Sequence, residues 1–146
     1  MATTQPVAKA VVIDTDGAFL LLQRSDTHPT LAGFYDLPGG SLTENEEPGA
    51  AVVREVYEET GLQLAIDRIK ILYTTTQLLH GRSYPTLLYV AYVTDSAPEV
   101  RMSWEHKSYN WAPLERLADV EPQLAPTYRE ALDYVRANDI LQDISN

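Results

Sequence analysis

The sequence predicts an α/β fold in which a mixed β-sheet is covered by helices on both faces. Three observations lead there. Extended apolar runs bounded by turn residues recur along the chain, and two stretches carry apolar residues at helical spacing. The length of 146 residues, 45% of them apolar, suits one compact domain spanning 1–146. No internal repeat or low-complexity tract interrupts the pattern.

Each element has a local cause. Val7 to Ile13 is rich in Val and Ala, Asp14-Thr15-Asp16-Gly17 is a turn signal, and 18–23 is again apolar, so the three read as a β-hairpin. Residues 25–33 carry Ser, Asp, His, Pro and Gly without an apolar period and read as a surface loop before a short extended piece at 34–37. Pro38-Gly39-Gly40 then breaks the chain. From Pro48 to Thr60 the spacing is helical, with Ala50, Val53, Val56 and Tyr57 on the side expected to pack and Glu55, Glu58 and Glu59 opposite. Gly61 is placed to cap that helix. Extended stretches are predicted at Ile69 to Leu79, 84–93 and 107–111, with a turn at 80–83. A second amphipathic helix is predicted from Leu124, Tyr128, Ala131, Leu132 and Val135, with Thr127 and Glu130 in the spacing of a capping box.

Composition excludes several classes. Eleven basic residues stand against 21 acidic ones, a net charge of −10, which argues against holding a nucleic acid polymer on a basic face. With no cysteine, disulfides, thiolate metal sites and cysteine nucleophiles are ruled out, and a cytoplasmic location is favoured. No apolar run approaches the ~20 residues that span a bilayer, and the N-terminus lacks the pattern of a secretory signal, so no membrane association is expected.

Charge is also unevenly distributed. Residues 40–62 hold six glutamates and one arginine. Glu55, Glu58 and Glu59 stand at i, i+3 and i+4, so their carboxylates share a helical face and repel one another unless a cation lies between them. A solvated surface face is the ordinary reading of such a cluster. Hard divalent cations are its natural partners if it is functional, and Mg²⁺ needs only a few carboxylates plus substrate phosphate oxygens, with Mn²⁺ an alternative.

The spacing decides between these readings. Gly40, Glu46, then Arg54-Glu55-Val56-Tyr57-Glu58-Glu59-Thr60-Gly61-Leu62 fit the signature G-x5-E-x7-R-E-U-x-E-E-x-G-U, with U a bulky aliphatic, at every specified position. The chain therefore resembles the Nudix hydrolase family. Tyr35-Asp36-Leu37-Pro38-Gly39-Gly40 looks like that family's W-x-L-P-G-G entry with Tyr for Trp, and Asn45 stands where the family often has Gly, a residue that also tolerates left-handed backbone. The resemblance implies an α/β/α sandwich and hydrolysis of a nucleoside diphosphate linked to another group, by water attacking one phosphorus with divalent metal help. It also implies Glu55, Glu58 and Glu59 as metal ligands with the Gly40 carbonyl a further one. Arg54 would pair with Glu46, whose part lies between orienting and proton handling.

Outside the signature, Glu105 resembles the extra glutamate that some members use as metal ligand or general base, against the ordinary reading of a loop carboxylate. His106 reads as structural or solvated before it reads as a phosphate contact or proton carrier. Arg24 is a candidate phosphate contact or an ion-pair partner near the carboxylates, and Arg82 and Lys107 are candidate steering charges. Among nine tyrosines, Tyr35, Tyr73 and Tyr84 are candidates for stacking on a nucleobase, with Tyr35 the first choice, while Tyr57, Tyr128 and Tyr134 are assigned to packing. The family leaves several small nucleotide substrates open: nucleoside triphosphates first, then ADP-ribose and dinucleoside polyphosphates. Thr75-Thr76-Gln77-Leu78 lacks the downstream proline or tyrosine that marks the latter two. A homodimer is common among similar proteins. The rival from another class is a nucleotide-sensing module without turnover.

Overall fold

The computed structural model describes residues 4–29, 31–116, 133 and 137. Strands β1 (Val7–Ile13), β2 (Phe19–Arg24), β3 (Tyr35–Asp36) and β4 (Gly39–Ser41) precede helix α1 (Pro48–Thr60). Strands β5 (Ile69–Leu79), β6 (Arg82–Tyr92) and β7 (His106–Ala112) follow it. They form one sheet in the order β3-β2-β1-β6-β5, with β4 also on β1 and β7 also on β2. The β1–β6 pair is parallel and the others are antiparallel, so the sheet is mixed as the sequence predicts. The helix expected around Leu124 to Val135, with Tyr128 and Tyr134, lies outside the described residues apart from Asp133.

Period-2 alternation divides the core. Val11, Ile13, Phe19, Leu21, Leu88 and Val90 pack on one face. Ala8, Ala10, Val12, Leu20 and Leu22 pack on the other, where Val52 and Val56 of α1 close over them. Full burial of each of those two valines contributes roughly 1.5–3 kcal/mol. Pro48 starts the helix at a position where its missing N–H costs nothing, and Gly61, at φ 76°, ends it by donating its N–H to the Tyr57 carbonyl.

Pairing bears out the first hairpin in a shortened form and corrects two further expectations. The first hairpin is joined only at Ile13↔Phe19, because β1 and β2 then part and take β4 and β7 as further neighbours. Pro38-Gly39-Gly40 contains a strand: Gly39 and Gly40 pair with Lys9 and Ala8 of β1. A side chain at Gly39 would collide with the Ala8 carbonyl, so the close approach of two backbones requires glycine there. The β5–β6 turn is only His80-Gly81, both at positive φ, and Arg82 and Ser83 already belong to the ladder.

Candidate functional site

The helix is rotated relative to the expected packing face. Ala51, Val52, Val56, Glu59 and Thr60 are buried, whereas Ala50 is exposed and Tyr57 is 47% exposed. Tyr57 is therefore not a packing residue. A stripe at i, i+4, i+7 and i+8 faces the sheet. Thr60 is accommodated because its hydroxyl donates to the Val56 carbonyl and accepts from the Leu62 N–H. The rotation divides the three glutamates: Glu58 is exposed, Glu55 is half-buried and Glu59 is only 4% exposed.

At the solvent end, Arg54 organises the carboxylates. Its Nε and Nη2 donate to the two oxygens of Glu46 at 2.8 and 3.0 Å, a bidentate form of the pairing expected of these two residues. Its Nη1 donates to Glu55 at 3.0 Å and to Glu58 at 3.3 Å, and Nη2 also reaches the Ser41 carbonyl. Glu46 additionally accepts from the Thr43 N–H and hydroxyl, and Asn45 takes the left-handed conformation at φ 63°. The Arg54 hydrogen bonds and then the Thr43 N–H hold the Glu46 pKa down to about 2. Glu55 behaves differently, since burial raises its pKa against the pull of Arg54. Its carboxylate lies against Gly40, where a Cβ would stand 2.8 Å from it. The second glycine therefore leaves room for a carboxylate beside a backbone turn.

At the buried end a polar cluster crosses the sheet. Asp36 Oδ2 meets Lys9 Nζ at 3.5 Å, Arg24 Nε at 3.3 Å and His106 Nε2 at 3.4 Å. Burial by itself would raise the Asp36 pKa, but Lys9, the His106 contact and Arg24 hold it well below the usual carboxylate range. Lys9 also donates to the carbonyls of Leu37 at 3.2 Å and Gly39 at 3.0 Å, tying the glycine turn to β1. Glu59 has no such company. Burial pushes its pKa up to about 8, with Lys9 opposing and Asp36, Glu105 and Glu55 adding to the rise. Its Oε2 is buried without a hydrogen-bond partner, and so is His106 Nδ1, 3.9 Å away.

Glu105 is partly buried, with His28 Nε2 at 3.8 Å from its carboxylate. Burial and then Arg24 lower the His28 pKa. The imidazole stacks on the exposed Trp104, with ring centroids 6.5 Å apart. Its loop is tied to the end of α1, since Ser103 N–H donates to the Glu59 carbonyl and Arg101 N–H to that of Thr60.

Other expected residues are dispersed. Arg24 takes its ion-pair reading, with Asp36, and Lys107 is joined to Asp26 at 2.8 Å. Tyr35 lines a cavity of about 120 Å³ with Phe19, Tyr109, Asn110 and Arg116, on the sheet face opposite α1. Tyr73 is partly buried against that same face's core, and Arg82 is exposed at the hairpin end. His106, Asp36 and Lys9 are the site residues that sequence reasoning missed or left as structural. A lysine in the apolar run Val-Ala-Lys-Ala-Val-Val-Ile was the available signal, since a buried ammonium needs a carboxylate partner.

The donor set fits a hard divalent cation. Three carboxylates and a backbone turn gather along the second half of α1, and the buried Glu59 carboxylate is what an added cation would neutralise. Among the described residues no three such side chains already converge on one point, and Arg54 holds both Glu55 and Glu58.

Comparison with known proteins bears on the fold and the family. The NUDIX domain model matches residues 3–135. A MutT-like protein of Streptomyces ambofaciens is 37% identical over 79 residues, 51% of this chain and 48% of that one. A diphosphoinositol polyphosphate phosphohydrolase, NUDT4B, of Homo sapiens is 31% identical over 122 residues, 80% of this chain and 62% of that one. The chain thus spans about half to three fifths of the length of these relatives. The crystal structure of a MutT protein from Methanosarcina mazei Go1 superposes with a TM-score of 0.83 at 28% identity, covering 94% of this chain and 96% of that one. With the domain match covering most of its length and the whole signature on one loop and helix, the chain belongs to the Nudix hydrolase family.

Proposed function

We propose that this protein is a divalent-metal-dependent hydrolase of the pyrophosphate linkage in a nucleoside diphosphate joined to another group, with nucleoside triphosphates the first choice of substrate. The observation that carries this reading is the buried Glu59 carboxylate on the helix that bears the signature, with Glu55 one turn before it lying against Gly40. Glu55, Glu58 and Glu59, with the Gly40 carbonyl, are the groups that would hold Mg²⁺ or Mn²⁺. Such a cation, when bound, neutralises phosphate oxygens and acidifies water. Arg54 keeps the loop bearing Glu46 against α1 and screens the repulsion among the glutamates. Lys9 fixes the glycine turn through two carbonyls, so that the backbone facing Glu55 stays in place. Glu105, on a loop tied to the end of α1, is the candidate for accepting the proton of the attacking water.

Substrate charge supports the nucleotide choice over an inositol carrying many phosphates. Lys9, Arg24, Arg54 and Lys107, four of the 11 basic residues, are each paired with carboxylates, and a chain of net charge −10 repels a polyanion. Tyr35, lining a cavity with Phe19 and Tyr109, is the candidate base contact. A turnover screen of nucleoside triphosphates, ADP-ribose, dinucleoside polyphosphates and diphosphoinositol phosphates, with Mg²⁺ or Mn²⁺ and an EDTA control, tests the reading. Metal-dependent release of a nucleotide product is expected. Tight nucleotide binding with no turnover of any compound would overturn it in favour of a sensing module.

A further inference from the structure

His106 reaches the carboxylate site by a defect in the sheet. Along β7, Ser108, Asn110 and Ala112 pair with Gln23, Leu21 and Phe19, whose face is the one opposite α1. Strict alternation would put His106 on that face as well, because side chains two residues apart share a side. The register instead shifts between Gln23 and Arg24: Gln23 pairs with Ser108 and Arg24 with His106, which leaves Lys107 as an extra residue. This bulge turns the imidazole to the α1 side, where it is 5% exposed.

There it lies between two carboxylates. Nε2 is 3.4 Å from Asp36 Oδ2 and Nδ1 is 3.9 Å from Glu59 Oε2. Asp36, with cationic Lys9 and Arg24 at 3.5 and 3.3 Å, is an acceptor only, so Nε2 carries the hydrogen of that contact. The opposite nitrogen is thereby aimed at Glu59, about 1 Å beyond hydrogen-bond length, and neither of those two atoms has another partner among the described residues.

We infer that His106 is a positioning residue for Glu59: anchored through Nε2 on the buried Asp36, it presents Nδ1 to one carboxylate oxygen and leaves the other available to a cation. The role rests on Glu59 being a cation ligand, as proposed above. It matches the general pattern in which outer groups orient a ligating carboxylate, and loss of such a group typically weakens metal affinity or activity about 10- to 100-fold.

The test uses the full chain and Mn²⁺ as probe. His106→Gln retains an amide that can donate to Asp36 and loses the nitrogen that faces Glu59. The variant is expected to unfold at a temperature near that of the parent, to bind Mn²⁺ at least about tenfold more weakly by paramagnetic resonance, and to lose kcat with KM within about twofold. In the unaltered protein, ring ¹⁵N shifts are expected to show Nε2 protonated, a measurement that needs no variant. A folded His106→Gln protein with parental Mn²⁺ affinity, or an Nε2 without its proton, would overturn the assignment. Weakened Mn²⁺ binding in a chain that turns over no substrate sinks the hydrolase reading and leaves the positioning role standing.

Discussion

Glu58 and Glu59 are neighbours in sequence, yet they stand at the two ends of the site in opposite media. Around Glu58, which is exposed, the carboxylates of Glu46, Glu55 and Glu58 share one guanidinium and take no part in the apolar core. Around Glu59 they are sealed between helix and sheet, where Asp36 is compensated by two cations and Glu59 Oε2 is left without a partner. The difference separates two functions of negative charge. Solvated carboxylates cost little to keep and little to lose in stability. A buried, uncompensated one is retained against its desolvation cost, which is the expected mark of a group selected for chemistry.

Removing charge without changing shape should break the two ends in different ways. Glu58→Gln is expected to lower metal-dependent turnover by about 100-fold or more while thermal unfolding stays within about 1 kcal/mol, because its side chain is 56% exposed. Glu59→Gln should abolish turnover comparably and leave the metal-free protein about as stable as the parent, since burial already disfavours the charged carboxylate there. Near-normal turnover of either variant with Mg²⁺ removes that residue from the ligand set.

The compensated carboxylate should show the reverse balance. Asp36→Ala leaves Lys9 buried without its partner and is expected to cost roughly 3–5 kcal/mol in denaturant unfolding. A loss under about 1 kcal/mol would mean that the two carbonyls bonded by Lys9 suffice for it. Glu105→Gln should give a smaller, kinetic effect: a rate lowered about tenfold or more with substrate binding nearly unchanged. An unchanged rate returns Glu105 to an ordinary loop carboxylate partnered by His28.

The smallest expected effect sharpens the solvent end. Glu46 has a folded-state pKa of about 2, below its ordinary 4.5, because Arg54 and Thr43 bond its ionised form. That stabilisation is fully present above pH 4.5 and is lost as pH falls towards 2. The difference in stability between parent and Glu46→Gln is therefore expected to shrink as acid unfolding is measured from pH 5 down to about pH 2. A constant difference would show that Arg54 does not select the ionised form.

Legibility in the sequence followed distance along the chain. The bounds of α1, its glycine cap, the left-handed Asn45 and the Arg54–Glu46 pair were all readable, since each depends on residues within about a dozen positions. The expected packing face held at Val53 and Val56 and failed at Ala50 and Tyr57, because that stripe satisfies a helical period as well as Val52, Val56 and Thr60 do. Only the sheet selects between two such stripes. Gly39 and Gly40 were read as a break because their strand exists through pairing with β1, thirty residues earlier.

The sequence by itself determined the fold class, the family signature and the order of carboxylates along α1, because periodicity, capping and fixed spacing are local properties. Tertiary structure decided which carboxylate is buried, that Lys9, Arg24 and Asp36 form one cluster, and that a bulge at Lys107 turns His106 towards Glu59. These join residues 12 to 47 positions apart, and no local preference encodes a register shift or the rotation of a helix on a sheet.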